Sequence, residues 1–259
     1  MRRFSIRFVA LAYLAVLLIG PLSLVFWRTF ESGVGSAWEA VTTPAAVHAF
    51  ELTLLITAVA VPANTIFGVI TALAIVRQPF RGKGLVNAIV DLPLALSPVV
   101  VGLALFLLYG REGWFGDLPF EVLFALPSMI LATIFVSLPF VVREVVPVLR
   151  EIGTEQEQAA TTLGASTWQV FRRITLPAIR WAVAYGVVLT TARSLGEYGA
   201  VAVVSGRLAG ETETATLHVD ERFQAFDLVG AYASSMVLAL LAIAVLVGMS
   251  FFKPKEGVA

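Results

Sequence analysis

Arg193 and Glu197 lie four positions apart in an otherwise apolar run, a spacing that places both side chains on one face of a helix. Either charge alone inside a membrane costs at least about 2.5 kcal/mol, so we expect both to face protein or water. Four hydroxyl groups lie beside them in the sequence, on Thr190, Thr191, Ser194 and Tyr198. This group suits the wall of an anion pathway, in which Arg193 attracts the anion and Glu197 holds or releases it. A neutralised pair that locks two helices and never touches substrate is the alternative.

Ser97 and Pro98 form a second candidate for the pathway. A proline within a transmembrane helix leaves a carbonyl one turn earlier without its donor, and lipid supplies no replacement. Backbone of this kind is normally buried in protein or lines a wet cavity. A simple packed kink is the alternative interpretation.

Other sites receive little support from the sequence. His48 and His218 lack the clustered ligands that a metal site needs, and we expect both at the surface of outer loops. The glycine- and threonine-rich segment 206–216 is expected to be a flexible connector rather than a docking loop. An intramembrane enzyme acting through Glu197 is a rival hypothesis, although no catalytic triad or carboxylate pair occurs at enzyme-like spacing.

The segment Thr154–Pro177, which we call the polar bracket, is the longest polar run between apolar segments. Thr154 and Glu157 have the spacing of a capping box and predict the start of a helix. Gly164 lies where such a helix would end, at a position that favours positive φ. We therefore expect a short helix followed by a glycine corner.

A second helix is expected to follow the corner. Ser166 and Gln169 repeat the capping-box spacing, and Pro177 is expected to stop or kink the helix because it lacks an N–H donor. A compact, self-capped segment of this kind suits a surface that another protein grips. An ordinary connecting loop is the alternative.

The composition places the chain in the membrane. Of its 259 residues, 58% are hydrophobic and only 14% are charged, and the mean hydropathy is +0.88. Soluble domains carry about 25% charged residues. The formal net charge is zero, which argues against nucleic acid as a main partner. Cysteine is absent, so disulfides and thiolate metal sites are excluded.

Six apolar runs are long enough to cross a hydrocarbon core about 30 Å thick. The predicted spans cover approximately residues 8–27, 52–76, 86–110, 122–142, 179–205 and 228–252, within one membrane domain. We therefore predict an all-α polytopic membrane protein in which the polar bracket joins the fourth and fifth spans.

Positively charged residues indicate the orientation, because loops rich in Lys and Arg stay in the cytoplasm. With the N-terminus inside, the outer segments hold only Arg28, Arg111, Arg207 and Arg222. The inner segments hold thirteen such residues, namely Arg2, Arg3, Arg7, Arg77, Arg81, Lys83, Arg143, Arg150, Arg172, Arg173, Arg180, Lys253 and Lys255. Both termini and the polar bracket are therefore expected in the cytoplasm. No phosphate-binding loop motif occurs, so ATP, if used, binds another chain.

The polar bracket resembles the cytoplasmic coupling loop of ABC-importer permeases, whose pattern is E-A-A-x-x-x-G, nine further residues and I-x-L-P. The matching residues are Ala159, Ala160, Gly164, Ile174, Leu176 and Pro177. The glutamate position of the family holds Gln158, and Glu157 lies one residue earlier. The resemblance implies a type I importer fold in which the bracket docks on an ATPase. Either Gln158 forms a hydrogen bond with that ATPase, or Glu157 serves as both cap and contact.

Four segments resemble the sulfate/thiosulfate permeases, closest to their W-type subunit, namely DLPLALSPVVVGL, LPFVVREVVPVL, ARSLGEYGAVAVVSG and GETETATLHV. This resemblance implies an importer of the plasma (inner) membrane with a W-type and a T-type permease chain. It also implies an ATPase dimer that holds ATP and Mg²⁺, and an extracytoplasmic sulfate-binding protein. This chain itself would bind no cofactor and catalyse no reaction. Molybdate or tungstate is the alternative substrate, since those permeases are similar around the fifth span.

Overall fold

Helices account for every regular element in the described part of the chain. The computed structural model describes the backbone of residues 2–252 and the side chains of residues 7–9 and 11–248. The helices are α1 (Arg2–Leu14), α2 (Gly20–Glu31), α3 (Val34–Val41), α4 (Pro44–Arg77), α5 (Lys83–Ala95), α6 (Pro98–Tyr109), α7 (Leu126–Ser137), α8 (Pro139–Glu151), α9 (Glu155–Thr162), α10 (Thr167–Val170), α11 (Leu176–Leu195), α12 (Val201–Val204), α13 (Ala215–Gln224) and α14 (Leu228–Phe252). Two π-helical turns, Ala15–Ile19 and Phe171–Thr175, join α1 to α2 and α10 to α11.

Five helical segments among the described residues are long and apolar enough to cross a membrane, and the bent pair α5–α6 would make a sixth. The five are Arg7–Glu31, Pro44–Arg77, Leu126–Glu151, Thr167–Leu195 and Leu228–Gly248. The predicted all-α membrane fold is thus confirmed. The predicted inner C-terminus, with Lys253 and Lys255, lies outside the described residues, as do the side chains of Arg2 and Arg3.

The third predicted span, residues 86–110, is not one continuous helix. α5 and α6 meet at an angle of 110°, and Leu96 and Ser97 between them have extended backbone. The ring of Pro98 pushes the preceding residue out of the helical region, and Pro98 has no N–H to donate to the last carbonyls of α5. The chain therefore turns sharply within the membrane-spanning region.

Two further spans differ from the predicted bounds. The fourth begins at Leu126 and continues through α8 to Glu151, whereas residues 122–142 were predicted. The fifth, predicted over 179–205, ends at Leu195 with Gly196 as its C-cap. Glycine favours such an end because it is a poor helix former. The side chain of Glu197 also holds the backbone that follows in a turn, as described below.

α4, α8 and α11 pack together at the end of the molecule that carries the polar bracket. Val69, Val145 and Ile179 lie in their shared core. Gly186 of α11 lies so close to Val141 of α8 that a Cβ atom on Gly186 would be 2.9 Å from the Val141 Cα. Small residues of this kind let membrane helices approach closely. The polar bracket is attached to two of these three helices, because it follows α8 and leads into α11.

A second core lies at the opposite end of α4, which shares it with residues of α6, α7, α12 and α13. Ile56 of α4 and Val201 of α12 are buried there. Between the two cores, Asn64 donates hydrogen bonds to the Ile134 carbonyl at 3.0 Å and to the Ser137 hydroxyl at 2.8 Å. α4 is therefore fixed to its neighbours along most of its length.

Candidate functional site

Arg193 and Glu197 form an ion pair, with 2.7 Å between Nη2 and Oε2. The Glu197 side chain is 2% exposed and the Arg193 side chain 29% exposed. The prediction that both lie on one helical face is wrong, because α11 ends at Leu195 and Glu197 lies in the break that follows. The ion pair therefore connects the end of α11 to the segment 196–200.

Glu197 holds this break together through its other polar atoms. Its Oε1 accepts a hydrogen bond from the Ala200 N–H at 2.9 Å, next to the start of α12. Its backbone carbonyl accepts one from the Thr216 hydroxyl at 2.7 Å. Buried polar groups need such partners. Glu197 therefore has a structural role, whether or not a transported molecule passes beside it.

Thr190 and Ser194 are the buried hydroxyl residues of α11 in this region. Thr190 is 0% exposed and Ser194 is 4% exposed. Within the described part of the chain, neither hydroxyl oxygen has a hydrogen-bond partner. Buried hydroxyls without partners are uncommon in native proteins. These two groups are therefore available for a further polar contact.

The break after α11 touches the break between α5 and α6. Ser97 lies in the earlier break and Pro98 begins α6 directly after it. A Cβ atom on Gly199, in the later break, would be 3.0 Å from the Pro98 Cβ, and a Cβ atom on Gly102 of α6 would be 2.6 Å from the Ala200 carbonyl oxygen. The structure thus brings Ser97 and Pro98 next to the segment that contains Glu197.

Tyr198 is partly exposed, and its hydroxyl donates to Asp220 Oδ2 at 2.9 Å. The same oxygen accepts hydrogen bonds from Gln224 at 2.8 Å and from Arg207 at 3.4 Å. Asp220 thus connects the break to α13. Asp220 was not predicted from the sequence as part of this region, because Tyr198 lies 22 positions earlier and no local pattern indicates the contact.

The polar bracket has the predicted corner between two helices. Gly164 separates α9 from α10 with φ of +87°. Ser166 and Gln169 form the predicted capping box, with the Ser166 N–H 2.8 Å from Gln169 Oε1 and the Gln169 N–H 3.4 Å from Ser166 Oγ. Leu163 at the corner is 89% exposed, a feature that the spacing arguments did not bring out. The corner is thus accessible at the surface of the bracket.

The first predicted capping box, between Thr154 and Glu157, is wrong. Thr154 makes no side-chain cap, and its hydroxyl instead accepts a hydrogen bond from Gln158 at 3.1 Å. Glu157 turns toward the membrane helices, where it pairs with Arg77 at 3.0 Å and accepts a hydrogen bond from Thr175 at 2.8 Å. Gln158 remains exposed at the surface of the bracket.

The other residues of the coupling pattern are spread along the bracket. Ala159, Gly164, Leu176 and Pro177 are exposed, and Ala160 and Ile174 are half-buried. Pro177 does not end the second helix, because the chain passes through the π-helical turn Phe171–Thr175 and continues as α11. Proline is tolerated in a first helical turn, where its missing N–H is not needed.

His218 is not a surface residue, contrary to the prediction, because its side chain is 2% exposed and its Nδ1 lies 3.3 Å from Glu213 Oε1. The segment 206–216 is not a free connector either, since the Ala215 N–H donates to the buried Thr53 hydroxyl at 2.8 Å. His48 is half-buried against a carbonyl of the same segment. Packing of this segment and α13 on α4 accounts for these differences.

Two carboxyl groups near His218 influence each other. Burial opposes ionisation of Glu213, but the neighbouring His218 and Glu221 side chains outweigh burial and lower the pKa of Glu213. The pKa of Glu221 is raised, chiefly by the neighbouring Glu213 carboxyl. Among the described residues, no three His, Asp or Glu side chains are grouped as a metal site.

Comparison with known proteins finds relatives along almost the whole chain. The family model described as "Binding-protein-dependent transport system inner membrane component" matches residues 64–254. The chain is 44% identical over 252 residues to the sulfate transport system permease protein CysW of Synechocystis sp., which covers 96% of this chain and 91% of that protein. It is 36% identical over 252 residues to CysT, a sulfate transport system permease protein of Escherichia coli, with the same coverage of 96% and 91%.

A solved structure shares the fold. The bacterial alginate ABC transporter, in complex with an alginate pentasaccharide-bound periplasmic protein, contains a chain that matches with a TM-score of 0.80. The match covers 96% of this chain and 92% of that chain at 17% identity. The likeness concerns the arrangement of helices alone.

Proposed function

The chain belongs to the family of binding-protein-dependent transport system inner membrane components, and we propose that it is the W-type permease subunit of an ATP-driven sulfate/thiosulfate importer. The observation that carries this proposal is 44% identity to a sulfate permease along 96% of the chain. The lower identity of 36% to a CysT protein favours the W-type over the T-type subunit. We favour sulfate over molybdate as the proposed substrate, because both relatives are named for sulfate transport.

The proposed pathway passes the two helix breaks that touch each other. Ser97 and Pro98 would form one side, and Thr190, Ser194 and Tyr198 would supply hydroxyl groups on the other. The Arg193 guanidinium would attract the sulfate dianion, while its ion pair with Glu197 at 2.7 Å weakens that attraction. A weak contact suits a permease, because a tightly bound anion would not leave the pathway. Strong selectivity would then reside in the binding protein.

The polar bracket would couple the pathway to ATP hydrolysis. Its corner, with Leu163 exposed and Gly164 at positive φ, would dock on an ATPase subunit. Closure of the ATPase dimer would push the bracket and rock the attached helices α8 and α11 between inward-open and outward-open states. Gln158, exposed where the family has glutamate, would contact the ATPase, and Glu157 would act inside the permease.

The complete importer would contain partners on both sides of the membrane. We expect a T-type permease chain beside this one, an ATPase dimer holding ATP and Mg²⁺ in the cytoplasm, and an extracytoplasmic protein that delivers sulfate. The chain would lie in the plasma (inner) membrane with both termini inside. The excess of Lys and Arg in the predicted inner segments supports this orientation.

ATP hydrolysis by the reconstituted complex tests the substrate. The four components are placed in liposomes, and the binding protein is supplied with sulfate, thiosulfate or molybdate. Sulfate and thiosulfate should stimulate hydrolysis, and stimulation by molybdate alone would contradict the proposal. Labelled sulfate should also enter the liposomes chemically unchanged and only when the ATPase is present, which would exclude an enzyme acting through Glu197.

Labelling of single cysteines tests the orientation. The chain has no cysteine, so Ser166→Cys in the bracket and Glu112→Cys in a predicted outer loop each create one reactive thiol. A membrane-impermeant reagent should reach position 166 only from the cytoplasmic side and position 112 only from outside. Reaction of the bracket position from outside would reverse the proposed topology.

A further inference from the structure

The cytoplasmic end of α4 is tied to the polar bracket by one arginine. Arg77 is the last residue of α4, and its side chain is only 13% exposed. Its guanidinium donates to the Leu149 carbonyl at 3.0 Å and to the Gly153 carbonyl at 2.7 Å. It also pairs with Glu157 through two contacts, Nε to Oε2 at 3.0 Å and Nη2 to Oε1 at 3.2 Å. One side chain therefore holds the end of α8, the following turn and α9.

Glu157 extends this connection to α11. Its Oε1 accepts a hydrogen bond at 2.8 Å from the hydroxyl of Thr175, which is buried in the π-helical turn just before α11. Hydrogen bonds between ionised groups are shorter and stronger than neutral ones, and the planar guanidinium fixes their directions. The Arg77–Glu157 pair thus joins α4, α8, α9 and α11. We call these two residues with Thr175 the bracket clamp.

Little else holds α9 of the bracket in place. α9 and α10 have no buried residue between them. Gly153, which joins α8 to α9 directly before the bracket, has φ of +65°, and as a glycine it can adopt more backbone conformations than other residues. The bracket clamp spans this point, because Arg77 holds the Gly153 carbonyl on one side and the Glu157 side chain on the other. Without the clamp, α9 would swing about Gly153 when pushed.

We infer that Arg77 is a positioning residue for energy coupling, which makes α4 move together with the bracket. This inference rests on the proposed function, because it assumes that an ATPase pushes the bracket. A push on the corner then displaces α4, α8 and α11 as one body instead of bending the chain at Gly153. Loss of the clamp should leave the ATPase docked and hydrolysing ATP while less sulfate is carried per ATP.

The test compares sulfate uptake with ATP hydrolysis in the reconstituted complex. Arg77→Gln should lower sulfate transported per ATP by about tenfold, which corresponds to about 1.4 kcal/mol, because the charge-assisted hydrogen bonds of the guanidinium are lost. Arg77→Lys should fall in between, because it keeps the charge and loses the planar fork. Arg81→Gln, which removes the same charge from an exposed position four residues later, should leave the ratio unchanged.

A double variant separates the clamp from a general loss of charge. If Arg77 acts through Glu157, Arg77→Gln with Glu157→Gln should couple no worse than Arg77→Gln alone. A much lower ratio in the double variant would show that the residues act separately. Equal amounts of assembled complex, measured by copurification of the ATPase, are required for each comparison.

Two results would overturn the inference. Arg77→Gln complexes that transport as much sulfate per ATP as the wild type would exclude the coupling role. If Arg77→Gln fails to assemble, Thr175→Val removes one donor to Glu157 and should lower the ratio about threefold, and an unchanged ratio there would also contradict the clamp. A wild-type complex that ignores sulfate would instead refute the proposed function, which keeps the two failures distinct.

Discussion

Replacing Arg193 with alanine should destabilise the protein more than replacing Arg193 and Glu197 together. In the single variant, the Glu197 carboxylate stays buried and loses its ion pair at 2.7 Å. Breaking a buried pair in this way costs about 3–5 kcal/mol, because an uncompensated charge remains. In the double variant the charge is gone, and the main loss is the acceptor for the Ala200 N–H, which costs about 1–3 kcal/mol.

Thermal unfolding in detergent measures the difference. A gap of about 2 kcal/mol between the variants corresponds to a difference of about 4–8 °C in melting temperature for a chain of this size. Arg28→Ala is the control, because Arg28 and Glu31 also lie 2.7 Å apart but are more than half exposed. Exposed ion pairs contribute little to stability, so this variant should melt close to the wild type.

Equal melting temperatures for the single and double variants would refute the reasoning, since no buried charge would then have been left behind. Sulfate uptake by the double variant separates the two original interpretations. A variant that folds and transports shows that the pair only connects the end of α11 to the break. A variant that folds and does not transport gives Arg193 a role in the pathway.

Three other predictions use matched changes elsewhere. Gly164→Val should leave membrane insertion intact, because a side chain at position 164 would meet open space. It should abolish transport, because a φ of +87° costs a valine about 1–2 kcal/mol of strain and so distorts the corner. Normal uptake would contradict the docking role. Gly186→Ala should melt lower than Gly35→Ala, since its Cβ would lie 2.9 Å from the α8 backbone, whereas Gly35 has open space. Overpacking costs about 1–3 kcal/mol, and equal melting of the two variants would argue against this close approach. Stability should fall as pH rises through the folded-state pKa of Glu221, which lies above its ordinary 4.5, because a carboxyl with a raised pKa holds its proton more tightly in the folded protein. Glu221→Gln should weaken that pH dependence, and an unchanged pH profile would show that Glu221 does not cause it.

Features that depend on close sequence neighbours were predictable. The positive φ of Gly164 follows from its place after a short helix, and the Ser166–Gln169 capping box follows from a spacing of three. The existence of the apolar spans follows from composition in the same way. The sharp turn at Ser97 was only partly predictable, because Pro98 indicates a disturbed helix without giving its angle.

Glu157 shows why the rest was not predictable. Thr154 and Glu157 have the same spacing as Ser166 and Gln169, yet Glu157 binds Arg77, which lies 80 positions earlier. A charged partner outweighs a neutral cap, because charge-assisted hydrogen bonds are about twice as strong. The local sequence around Thr154 and Glu157 gives no sign that a distant arginine competes with the cap for the glutamate.

The two charged pairs lie at opposite ends of α11, which connects the bracket to the helix breaks. α11 has 20 residues, so it is about 30 Å long at 1.5 Å per residue. Thr175, just before its start, donates to Glu157, and Arg193, near its end, pairs with Glu197. Groups so far apart, with no shared partner, contribute independently to stability. An effect of the bracket on the proposed pathway therefore requires movement of whole helices. α11 connects the two regions directly, the close contact at Gly186 makes α8 move with it, and the bracket clamp makes α4 move with the bracket.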